Sequence, residues 1–144
     1  MAEWTKQKAI NLAVQQVALW RQFPNAQCWI NRGELTWVGT LMPYPLSRNY
    51  RVRLRYKLSG SPEVEVLDPE LERRNGKKPP HLYKGDRLCL YLPRTGEWDR
   101  GKLLSDTIVP WTSEWLLHYE IWLTTDEWCG GGINPTPKSI KELP

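Results

Sequence analysis

A chain of 144 residues is the size of one ordinary domain, long enough to enclose a single well-buried core. Its net charge of +4 points only weakly to an acidic partner, and without a dense Lys/Arg cluster or an aromatic-basic repeat it argues against a dedicated nucleic-acid binder. Each apolar run is interrupted by Gln, Arg, Asp or Glu before it reaches bilayer length, so no membrane association and a soluble protein are expected.

In chain order, residues 5–23 read as a first helix. Ile10, Ala13, Val14, Val17 and Ala18 recur at helical spacing, Gln15, Gln16 and Gln22 lie mainly off that stripe, and Pro24-Asn25 ends it. The stripe predicts a packing face. Leu12, Leu19 and Trp20 widen it, which leaves a partner-binding face as the alternative. Residues 27–31 and 35–41 read as two strands joined at Asn31-Arg32-Gly33, which carries the residues a tight hairpin turn favours. The two prolines of residues 42–46 take the chain out of the ladder.

Residues 49–58 form the clearest strand pattern. Tyr50, Val52, Leu54, Tyr56 and Leu58 alternate with Arg51, Arg53, Arg55 and Lys57, so one face packs and the other carries a row of four cations. Such a row reads either as a solubilising surface or as a docking face for a protein with an acidic surface. After a turn at 59–62, residues 63–67 make a fourth strand and complete an antiparallel meander. Residues 68–80 read as a surface loop or a short helical turn.

The stretch 79–98, PPHLYKGDRLCLYLPRTGEW, places Cys89 in a short apolar run between two turn signals, Lys84-Gly85-Asp86 and Thr95-Gly96. Two readings of Cys89 stand side by side: a small buried hydrophobe between leucines, or a thiol nucleophile on a constrained loop edge. Lys84 and Arg87 could lower its pKa by direct charge, with Asp86 opposing, or the three could form a solvated turn. The cysteines at 28, 89 and 129 form no close-spaced pair and the histidines at 81 and 118 fall in no ligand-spaced motif, so no metal is expected. The odd cysteine count without a signal peptide predicts a reducing, cytoplasmic setting. No Gly-rich phosphate cradle occurs, so no nucleotide cofactor is expected. From Arg100 the pattern turns helical again, with a short lead-in and a main helix over about 110–123, Pro110 standing in its first turn. Residues 1–128 then form one domain, and the Gly-rich segment 129–144 reads as a flexible tail. Helix, four-stranded meander, irregular stretch and long helix make an α+β layer architecture.

His81-Leu82-Tyr83, Gly85, Leu88-Cys89-Leu90 and Trp98 ahead of a long helix resemble the active-site region of ubiquitin-conjugating enzymes. The likeness is closest to the short bacterial members that accompany cGAS-like nucleotidyltransferases in cyclic-oligonucleotide anti-phage (CBASS) systems, whose Arg-Leu-Cys-Leu-Tyr and Thr-Ile-Val-Pro-Trp stretches occur here at 87–91 and 107–111. It covers most of residues 27–128.

The resemblance implies the ubiquitin-conjugating fold and acyl transfer through a thioester on Cys89. Its implied donor is the C-terminus of the neighbouring cGAS-like nucleotidyltransferase. It also implies that His81 braces the turn and that the outer sheet face, with Arg51, Arg53, Arg55 and Lys57, docks a partner non-covalently. Tyr83 stands in the slot of the family's oxyanion-stabilising Asn, and its phenol can donate one hydrogen bond in that role. Leu82 replaces the family's Pro. Two other classes remain: an inactive conjugating-like module that only binds its partner, and a small basic nucleic-acid-binding domain built on the cationic face.

Overall fold

The computed structural model describes residues 8–129. Its elements run α1 (Leu12–Gln22), β1 (Gln27–Asn31), β2 (Glu34–Leu41), β3 (Tyr50–Lys57), β4 (Glu63–Asp68), β5 (Leu82–Tyr83), β6 (Arg87–Leu88) and α2 (Ile108–Thr125). β1 to β4 form one antiparallel sheet in sequential order, and β5 and β6 form a small separate hairpin.

The β1–β2 connection is a two-residue turn, since Asn31 pairs with Glu34. Its residues Arg32 and Gly33 both take positive φ, 49° and 77°, the geometry that matches strand twist in tight hairpins. β3 alternates as its sequence predicts: Tyr50, Val52, Leu54 and Tyr56 are buried, and Arg51, Arg53, Arg55 and Lys57 share the opposite face. The apolar face of the sheet shares one core with Ile108, Trp115, Leu116, Tyr119 and Trp122 of α2. Tyr50 meets Tyr119 edge to face with ring centroids 6.2 Å apart. The charged segment between β4 and β5 is a loop rather than a helical turn, and α2 holds it: Glu72 N donates to Tyr119 Oη at 2.7 Å and Arg74 Nε to the Leu123 carbonyl at 3.2 Å.

The first helix departs from expectation in extent and in face. Residues 8–11 are not helical; Asn11 caps the helix, its Oδ1 accepting from Val14 N at 2.9 Å. The residues of α1 that are fully buried are Leu19 and Gln15, whereas Val14, Val17 and Trp20 are exposed at 50%, 42% and 47%. A hydrophobic stripe scores Gln15 as polar, yet its amide is satisfied at both ends by the chain ahead of α2. Nε2 donates to the Lys102 carbonyl at 3.0 Å, and Oε1 accepts from Leu104 N at 2.9 Å. Gln22 adds a bond to Asp106 at 2.6 Å. α1 is thus tied to the 102–106 segment by amide side chains, and its apolar stripe is left facing outward.

α2 begins two residues before the expected Pro110 and ends two after Leu123, with Pro110 in its first turn where a missing N–H costs little. The segment 100–107 is a run of turns, which makes it the expected lead-in to the helix. The predicted tail lies, from residue 130 on, outside the described residues, as do residues 5–7 of the expected first helix.

Candidate active site

Cys89 follows β6 directly. The β5–β6 hairpin pairs Leu82 with Leu88 and Tyr83 with Arg87, around a turn in which Gly85 and Asp86 take φ of 84° and 59°. That turn brings Tyr83 back over the cysteine, and the Tyr83 side chain hydrogen-bonds the Cys89 sulfur. The backbone is fixed from the other side: Cys89 N donates to the His81 carbonyl at 2.9 Å. Trp115 Nε1 on α2 donates to that same carbonyl at 3.1 Å. His81 takes the left-handed conformation, φ 59°, and its buried ring lies 5.1 Å from that of Trp128. His81 therefore braces the turn through its main chain.

The loop after the cysteine is held by aromatic rings. Trp98 packs on Tyr56 with centroids 5.5 Å apart, and on Tyr91 at 6.2 Å; its Nε1 donates to Thr107 Oγ1 at 3.0 Å. Tyr91 also faces Trp111 at 6.2 Å. The Cys89 segment is consequently clamped between the sheet and α2, and positional precision of this kind is what a nucleophile on a loop requires.

The electrostatics differ from the sequence expectation. Lys84 and Arg87 do not depress the thiol pKa. Arg87 turns to Glu63 on β4 at 2.5 Å, and Asp86 pairs with Lys78 at 2.7 Å, so both are committed to partners outside the turn. Burial pushes the Cys89 thiol above its ordinary range, the nearby Glu97 carboxylate adds to this, and the Tyr83 hydrogen bond opposes both. Among the described residues, the interaction that lowers the thiol pKa is therefore the one with Tyr83. Cys28 is buried in the core with its pKa raised to about 11 by burial, which suits a packing thiol. Cys129 is exposed.

The four cations of β3 share the outer face, but the sheet supplies counter-charges. Arg53 pairs with Glu65 at 2.5 Å, and Arg55 stands 3.8 Å from both Glu63 and Glu65. Arg51 and Lys57 make no ion pair among the described residues. Among those residues there is also no group of three or more His, Cys, Asp or Glu able to hold a metal ion, and no helix long and apolar enough to cross a membrane.

Sequence reasoning did not single out Trp115, whose link to His81 spans 34 residues and has no local signal. Trp115→Phe keeps a six-membered ring to face Tyr119 but removes the indole N–H together with its five-membered ring from a buried position. We expect a loss of about 2–3 kcal/mol in unfolding free energy, from the missing hydrogen bond and the cavity left behind. Alkylation of Cys89 by a small reagent should rise about threefold as its backbone anchor loosens and the half-buried thiol opens. Denaturant titration beside an alkylation assay checks both, and an unchanged alkylation rate would reduce Trp115 to a core residue.

The family model for type II CBASS E2 proteins matches residues 15–135, which take in the sheet, the Cys89 hairpin and α2. Among curated proteins none matches the chain.

Proposed function

The chain belongs to the type II CBASS E2 protein family, and on that premise we propose that Cys89 accepts the C-terminal carboxyl of a partner protein as a thioester. The donor in this reading is the cGAS-like nucleotidyltransferase of the same anti-phage system. The observation that carries it is the hydrogen bond from Tyr83 to a half-buried sulfur whose backbone is pinned to His81.

The donor arrives with its carboxyl already activated as an acyl derivative. The Cys89 S–H gives up its proton to water, the sulfur bonds the acyl carbon, and the bond from that carbon to the activating group breaks as the group leaves with its electron pair. An amine then forms the C–N bond while the C–S bond breaks and the thiolate departs, stabilised by Tyr83; the amine's proton passes to water. The Tyr83 hydroxyl also lies within reach of the tetrahedral oxyanion that both steps form, in the manner of an oxyanion-hole donor. His81 acts as a brace and not as a base.

The test is the mass of the protein recovered from its native cell under non-reducing conditions. A covalent adduct that disappears on thiol treatment is expected. A single unmodified mass under both conditions would favour the inactive binding module.

Docking of the partner on the outer sheet face is the second element of the reading, carried by the cations that the sheet leaves unpaired, Arg51 and Lys57. Arg51→Glu with Lys57→Glu should weaken partner association most at low salt, by roughly tenfold, while Cys89 alkylation by a small reagent is unaffected. Surface plasmon resonance across a salt series checks this. Normal binding at low ionic strength would remove the docking role, and steep salt-dependent binding of DNA in its place would favour the nucleic-acid module.

A further inference from the structure

A cavity of about 210 Å³ lies beside the β5–β6 hairpin, walled by Tyr83, Arg87, Leu88, Leu90, Tyr91 and Pro93 on one side and by residues 61–63 on the other, so that both chain neighbours of Cys89 line it. Tyr83 both lines this wall and hydrogen-bonds the sulfur, so a single side chain links the cavity to the reacting atom. Its charged members cancel each other: Glu63 and Arg87 form an ion pair at 2.5 Å. Tyr91 and Ser61 are hydrogen-bonded across it. What the cavity offers a ligand is therefore apolar surface. A lysine ammonium entering it would meet a carboxylate already neutralised, whereas an aliphatic or aromatic side chain would lose water at no polar cost.

We infer that this cavity is a specificity subsite for the donor, receiving one apolar side chain located within about three residues of the donor's terminal carboxyl. The inference rests on the acyl-transfer reading above and adds the chemistry of the donor that the site selects. The distance limit follows from chain reach: once the terminal carbonyl is bonded to Cys89, each preceding residue extends at most about 3.6 Å further. Only the last few side chains can enter a cavity that shares Tyr83 with the sulfur. An acceptor protein, by contrast, need bring only its amine to the thioester.

The experiment uses the full-length protein and two alkylating probes, 2-chloroacetamide and N-benzyl-2-chloroacetamide, which differ by a phenyl group a few bonds from the reacting carbon. Labelling of Cys89 and of the exposed Cys129 is followed in the same sample by peptide mass spectrometry, so Cys129 corrects for intrinsic reagent reactivity. The benzyl-to-parent rate ratio should be about tenfold larger at Cys89 than at Cys129, the factor that partial burial of an aromatic ring supplies. Ser61→Leu, which fills the cavity from the β3–β4 turn, should bring the two ratios together. Equal ratios in the unaltered protein, or a benzyl preference that survives Ser61→Leu, would overturn the subsite. With the nucleotidyltransferase C-terminus as donor, replacing the apolar side chains in its last four residues by Asp should reduce thioester formation at least tenfold, and an unchanged yield would overturn the subsite while leaving the donor assignment standing. A clear benzyl preference in a protein that forms no thiol-labile adduct in its native cell would overturn the acyl-transfer reading and not the cavity.

Discussion

Cys89→Ala is expected to abolish every thiol-labile adduct of this protein while leaving the fold intact. The sulfur is half-buried and its contacts are one hydrogen bond with Tyr83 and a weak S–H contact to the Tyr91 carbonyl at 3.8 Å, so the core loses little when it goes. The backbone bond that fixes the segment, Cys89 N to the His81 carbonyl, is untouched by the substitution. Thermal unfolding should therefore shift by no more than the cost of a small apolar truncation, about 1 kcal/mol. The other two cysteines supply the controls. Cys28 is buried on β1, paired with Trp37 of β2, with its thiol held protonated, and Cys129 is exposed near the end of the described chain. Cys28→Ala and Cys129→Ser should both retain the adduct. Intact mass under non-reducing conditions, before and after thiol treatment, reads all three variants, and an adduct lost in either control with Cys89→Ala still modified would refute the assignment.

The sheet was legible in the sequence because its determinants are local. Two-residue alternation fixes β3 to within one residue, and the Arg32-Gly33 turn fixes the β1–β2 register. The face of α1 was not legible. Gln15 is buried because distant backbone groups at Lys102 and Leu104 satisfy its amide, and no periodicity in residues 12–22 encodes that. The outward stripe of Val14, Val17 and Trp20 misled the reading because an apolar stripe indicates burial only when something covers it.

At the candidate active site, Cys89 was legible in its turn-flanked setting as one of two alternatives, Tyr83 and His81 only through resemblance, and the structure adds how they meet. The short β5–β6 hairpin sets Tyr83 against the sulfur. Local proximity in sequence was misleading for the charges: Arg87 lies two residues from Cys89 but is committed to Glu63, 24 positions away. The same holds for the cationic row of β3, whose counter-ions lie on β4 and become visible only when Arg53 faces Glu65 in the register. Pairing across strands decides how much charge a face presents, and a single strand's pattern cannot report it.

Tyr83→Phe should slow acyl transfer by about 10²-fold while barely altering stability. Its pH dependence separates the two tasks proposed for the hydroxyl. Burial and Glu97 raise the Cys89 pKa and the Tyr83 hydrogen bond lowers it, so removing the hydroxyl raises the thiol pKa further. Thiolate is the reactive form, and its fraction grows with pH until the pKa is passed. Alkylation of Cys89 by chloroacetamide should accordingly rise with pH in both proteins, with the variant's curve displaced to higher pH and the two rates converging once both thiols are ionised. Acyl transfer should not converge. If the phenol also donates to the oxyanion, the variant remains slow at a pH where its thiolate is fully formed, because the missing donor acts in the transition state and not on ionisation. Transfer rates that converge together with the alkylation rates would assign Tyr83 to thiolate stabilisation alone, and the oxyanion would then fall to backbone N–H groups near Leu90. Unchanged rates and an unshifted pH profile would leave Tyr83 as a wall of the cavity beside the sulfur and nothing more.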